Sequence, residues 1–116
     1  MELATTARRE AAGPAFPHRD YDRWQSIPQA FFEIAQRAPD APFLWAKRGG
    51  AWQPRTRGEV AAQVRRLARA LHGLGVQRGD RVVLVAENRP EFVIADLAIM
   101  TAGAITVPAY TTNTEA

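Results

Sequence analysis

The 116-residue sequence has no cysteine, which excludes disulfides and thiolate-ligated metal sites. Its two histidines, His18 and His72, stand apart with no partner at ligand spacing, so neither a metal site nor a Ser/His/Asp triad is predicted from them. The glycine patterns that hold phosphates are missing: there is no G-x-G-x-x-G and no G-x-x-x-x-G-K-[ST], and the Gly49-Gly50 pair is too short to wrap a phosphate. Lysine is scarce beside arginine, so the formal charge of +3 and the pI of about 10.2 come from guanidinium groups. Those arginines are scattered (Arg8, Arg9, Arg65, Arg66, Arg69, Arg78, Arg81, Arg89) and are not interleaved with aromatics in a nucleic-acid motif. They are expected on solvated helix faces, and no nucleic-acid partner is predicted. An unbroken membrane-spanning run is also lacking. Phe92 to Tyr110 comes nearest, but Asp96 interrupts it and Gly103 and Pro108 break its helical character, so no transmembrane segment is expected. The opening residues MELATTARREAAGPAF lack the apolar core of a secretory signal. These absences are compatible with a cytoplasmic location, with peripheral membrane contact left open.

What is present is organised around Gly79 to Tyr110. Arg81 to Ala86 is a short β-branched-rich run of the kind that forms a strand buried on both faces. Asn88 reads as a helix N-cap, with Pro90 in the first turn and Glu91 three residues after the cap. From there to about Ala102 the apolar positions run nearly all round, which predicts a buried helix stopped by Gly103. Ile105, Val107 and Tyr110 read as a second strand, with Pro108 placing it near an edge. Strand, helix and strand make a βαβ unit with parallel strands.

Upstream, Met1 to about Gln25 has little periodicity and reads as a leader, with Tyr21 and Trp24 expected to dock on the main body. Ser26 and Gln29 have capping-box spacing before a helix whose stripe is Phe31, Ile34, Ala35 and Ala38, ended by Pro39-Asp40. Phe43 to Lys47 and Ala51 to Gln53 flank Arg48-Gly49-Gly50 as a hairpin, with the return strand stopping before Pro54. Trp45 and Trp52 sit in its two arms, placed to pair across the strands or to stack on an adenine. Thr56 and Glu59 open an amphipathic helix with Val60, Val64, Leu67, Leu71 and Leu74 on one face and Gly73 and Gly75 at its end. The order predicts an α/β fold: a hairpin, covering helices and a parallel βαβ unit.

The segment ENRPEFVIADLAIMTAGAITVPAY closely resembles the early part of the AMP-forming acyl-CoA synthetases, especially the long-chain fatty acid–CoA ligase branch of the adenylate-forming superfamily. The resemblance extends back through Gly79-Asp80-Arg81 and, more weakly, to Ile27-Pro28. It implies a leader over residues 1–25 and, over 26–116, the truncated start of an AMP-binding domain. Thr112 to Glu115 has the spacing of a further capping box, and only Ala116 follows it, as expected of a chain cut where another helix begins.

For the full-length parent the resemblance implies fatty acid, ATP and coenzyme A as substrates, with Mg2+. The family's phosphate loop, its adenine and ribose contacts, its magnesium-associated glutamate and its lid lysine lie downstream and match no position here. No catalytic, cofactor-binding or metal residue is therefore assigned, and the chain alone is expected to be inactive. Open α/β sheets bind ligands beyond the carboxyl ends of their strands, where Glu87-Asn88 and Tyr110-Thr111-Thr112 lie. Backbone N–H groups after Asn88 offer an anion position there, or Asn88 and Glu91 simply cap the helix. A ligand role for Asn88, Tyr110 or Thr111 stays open, as do acyl chain length and oligomeric state. The alternatives are another carboxylate activator, such as an acyl-AMP ligase, or a small basic α/β binding module. Unpaired strand edges make the isolated chain an expected aggregation risk.

Overall fold

The structure is a computed structural model that describes residues 21–112. Most of the 1–25 leader and the Thr112–Glu115 capping pattern fall outside the described residues. A 3₁₀ turn, Tyr21–Arg23, leads into helix α1, Ile27–Arg37. Ser26 caps α1, its hydroxyl accepting the Gln29 N–H at 3.2 Å. The returning arm differs from a capping box: Gln29 Oε1 accepts the Gln25 N–H at 2.8 Å, one residue short of the cap. Trp24 docks as expected, its indole N–H donating to Glu33 Oε2 at 2.8 Å. Arg23 pairs with the same glutamate and lies over the Trp24 ring. Phe31 and Ala35 form the buried face of α1, while Ile34 stays exposed.

Strands β1, Pro42–Arg48, and β2, Ala51–Thr56, form an antiparallel hairpin. Gly49 and Gly50 turn it with φ of +55° and +81°, the positive pair that a two-residue hairpin turn needs. That turn fixes a register in which Trp45 faces Pro54 and Trp52 faces Lys47. The two tryptophans are thus diagonal neighbours on one face rather than cross-strand partners. The return strand also runs through Pro54 instead of stopping before it. In a two-stranded hairpin every residue has an open side, so a nitrogen without a hydrogen is tolerated mid-strand.

Helix α2, Arg57–Gly73, begins with a complete capping box: Thr56 Oγ1 accepts the Glu59 N–H at 3.2 Å, and Glu59 Oε2 accepts the Thr56 N–H at 2.8 Å. Its end is a Schellman motif. The Val76 N–H reaches the Leu71 carbonyl at 3.0 Å and the Gly75 N–H the His72 carbonyl at 2.9 Å, with Gly75 at φ +95°. The predicted stripe holds at Val60 and Val64, both fully buried, but Leu67 and Leu71 are only half-buried and Leu74 is 82% exposed. Leu74 has already left the helix as its C-cap, and Ala61 and Ala68 complete the buried face in its place.

Strand β3, Arg81–Val85, helix α3, Pro90–Thr101, and strand β4, Ile105–Ala109, form the βαβ unit, with β3 and β4 parallel and Arg81 level with Ile105. Gly103 at φ +82° ends α3, where the Ala104 N–H reaches the Ile99 carbonyl at 3.1 Å. Two expectations are corrected here. The N-cap is Arg89, without a side-chain cap, and not Asn88. Pro90 is the reason: the residue before a proline is driven out of the helical region, and Arg89 lies at φ −146°, ψ 164°. Glu91 consequently stands at the second helical position, too early for a capping box. The second correction concerns β3, which is covered on one face only; Val83 and Val85 are exposed.

The hairpin and the parallel pair are separate two-stranded sheets. Between them the three helices hold the core, a cluster of Phe31, Val60, Val64, Ile94, Leu97 and neighbouring alanines. No helix among the described residues is long and apolar enough to cross a membrane.

Candidate functional site

Because β3 and β4 run parallel in register, Val85 and Ala109 end side by side and deliver both candidate loops to one edge. Asn88, from the first loop, is exposed and forms part of a groove between that loop and the hairpin. The groove encloses about 570 Å³ and is lined on the hairpin side by residues 44–48 and Trp52 and on the loop side by residues 87–91 and Val93. Tyr110 and Thr111 are exposed beyond β4 and do not line it.

The electrostatic centre of the groove is Glu91. Arg55 Nη2 donates to its Oε1 at 2.7 Å, Arg89 Nε stands 3.3 Å from Oε2, and Arg48 Nη2 lies 3.9 Å from Oε1. Its carboxyl is held below the ordinary glutamate range, first by its own backbone N–H and then by the Arg55 hydrogen bond, with partial burial opposing. The place an external anion would take at the start of α3 is thus filled by the chain's own carboxylate. Sequence spacing gave no sign of this cluster, since Arg55 and Glu91 are 36 residues apart.

The described residues do not fit a nucleoside triphosphate with its metal. Among them no three His, Asp or Glu side chains gather to hold a metal ion. A Cβ built on Gly49 or Gly50 meets nothing within 4 Å, so the glycine turn beside the groove is an open hairpin tip and not a backbone cradle for phosphate.

Comparison with known proteins supplies what this geometry does not. A long-chain-fatty-acid–CoA ligase, FadD15, from Mycobacterium tuberculosis is 39% identical over 106 residues, 90% of this chain and 17% of the ligase. The N-terminal subdomain of NpsA from Klebsiella oxytoca superposes with a TM-score of 0.73 at 34% identity, covering 79% of this chain and 23% of that one. A fatty acid AMP ligase from Legionella pneumophila shares the fold at a TM-score of 0.75 and 23% identity, over 86% of this chain and 18% of its own. The chain thus spans 17–23% of the length of these three proteins. Residues 31–116, well over half of the sequence, match the AMP-binding enzyme family, and the chain belongs to that family.

Proposed function

We propose that these residues are the scaffold-forming start of a longer ATP-dependent ligase that activates a fatty acid. Residues 26–116 open its AMP-binding domain and residues 1–25 precede it as a leader. In that longer polypeptide a carboxylate oxygen attacks the α-phosphorus of ATP with release of pyrophosphate, and the coenzyme A thiol then displaces AMP to give the thioester. Mg2+ would offset the phosphate charge in the first step. No residue described above is given a chemical part in either step. The observation that carries this proposal is the family match over residues 31–116, joined to the 39% identity with a ligase named for long-chain fatty acids. The NpsA N-terminal subdomain, 33% identical, was solved in complex with 3-hydroxyanthranilyl-AMSN, and that likeness supports a second substrate class, an aryl carboxylic acid. A cytoplasmic location belongs to the same proposal.

The test is pyrophosphate release by a longer polypeptide carrying this segment, measured with long-chain fatty acids and with small aryl acids. Release that depends on the fatty acid supports the first substrate class, and release only with aryl acids supports the second. No release with any acid rejects the ligase. Formation of an acyl adenylate by the purified 116-residue chain alone would reject the scaffold role.

A further inference from the structure

A second recess lies where the hairpin meets α2 and encloses about 490 Å³, within the range of small-molecule sites. Three guanidinium groups from three elements line it: Arg48 at the end of β1, Arg55 of β2 and Arg66 of α2. The strand register puts Arg48 and Arg55 on the side of the hairpin that carries Leu44, which packs against the helical core. Glu59, Gln63 and Arg66 recur at steps of four and three, so α2 presents them as one stripe. The charges in this recess do not balance. Glu59 is the single carboxylate in the lining, and its Oε2 already accepts the Thr56 N–H at 2.8 Å. Glu91, outside the lining, takes one N–H of Arg55 and stands 3.9 Å from Arg48. Arg66 joins no ion pair among the described residues. The Arg55 side chain is only 18% exposed, so water screens its charge less than that of a surface arginine.

We propose that this recess binds a small phosphate monoester with a hydroxyl-bearing body, a role separate from the ligase chemistry proposed above. Each guanidinium presents its N–H donors as a rigid fork, and three forks offer more donors than the two oxygens of a carboxylate can accept. A phosphate monoester has three terminal oxygens and is close to dianionic at neutral pH, which matches both the donor number and the excess positive charge. Gln63 and the second oxygen of Glu59 remain to take the hydroxyls of the body. No aromatic ring lines the recess, so no ring is there to stack on a nucleobase. The body that fits is a polyol or a sugar.

The full 116-residue chain is titrated calorimetrically with glycerol 3-phosphate at fixed ionic strength, with succinate and AMP as comparison ligands. Saturable binding of one glycerol 3-phosphate is expected, with a Kd of about 1 mM or lower, and weaker binding of the other two. Arg66→Ala should weaken it about tenfold. Arg66→Lys should recover only part of that loss, since a lysine keeps the charge and loses the fork. Arg69→Ala removes the same charge from the same helix, outside the recess, and should leave binding unchanged. Circular dichroism checks that each variant keeps its fold. The proposal is overturned if glycerol 3-phosphate gives no saturable heat, or if succinate binds as tightly. It is equally overturned if Arg69→Ala weakens binding as much as Arg66→Ala, which would show a diffuse attraction to a basic chain. Tighter binding of AMP would also overturn it, because that preference requires base recognition outside this lining.

Discussion

The helical centre and the parallel strand pair both carry branched apolar side chains, yet these end in opposite environments. Val60 and Val64 of α2 lose all contact with water between α1 and α3. Val83 and Val85 of β3 keep 64% and 58% of their exposure, and Ile105 and Val107 of β4 lie beside them on the same side. The difference is one of partners. A helix stripe finds its cover in the next helices along the chain, whereas a parallel sheet needs layers on both faces and α3 supplies one. An apolar residue thus reports a need for burial, and the neighbouring elements decide whether the need is met.

That contrast sets the largest expected effect. Val64→Ala should destabilise the chain by about 2 kcal/mol, through lost burial and the cavity left behind. Val83→Thr, on the open face of β3, should stay within about 0.5 kcal/mol. Urea unfolding followed by circular dichroism measures both. Equal costs would break the comparison, because they would mean that the β3 face is covered in solution, for example by self-association. Sedimentation at several concentrations would show such association, which exposed strand edges and an apolar face favour. Next in size is Gly103→Ala. At φ +82° an L side chain is strained, and α3 would lose its stop directly before β4. The expected cost is about 1–2 kcal/mol, read in the same titration. An unchanged midpoint would show that β4 does not depend on that turn.

Local chemistry made most elements legible in the sequence. Ser26, Thr56, Gly75 and Gly103 each perform the capping or stopping role that their residue type predicts, and the βαβ order follows from the apolar runs. The readings that failed depended on information outside a short window. Asn88 looked like a cap because it is a good capping residue, but Pro90 forces the extended position onto Arg89. Leu74 continued the spacing of α2, but it is the C-cap, directly before the chain turns away at Gly75. Burial of β3 on both faces was inferred from composition, although the second face takes its cover from no element described here. The candidate site was the least legible part. Only folding brings Arg55 to Glu91, and a groove between a hairpin and a loop leaves no periodicity behind.

The smallest effect concerns the tie between these two parts. Arg55 joins the hairpin to the first turn of α3 through Glu91, but Glu91 is half exposed, so water screens the pair to a few tenths of a kcal/mol up to about 1. The folded carboxyl titrates below its unfolded counterpart, which places the contribution fully above the ordinary glutamate value of about 4.3. It is lost as the pH falls through the lower, folded value. Glu33 adds the same sign, since the Trp24 indole N–H first, then Arg23 and Arg37, hold its carboxyl down against partial burial. Comparing the chain with Glu91→Gln separates the two carboxylates. The variant should be less stable at neutral pH, and the gap should close on acidification through the carboxylate range. A gap that persisted unchanged at low pH would show that Glu91 holds the hairpin by packing and not by charge.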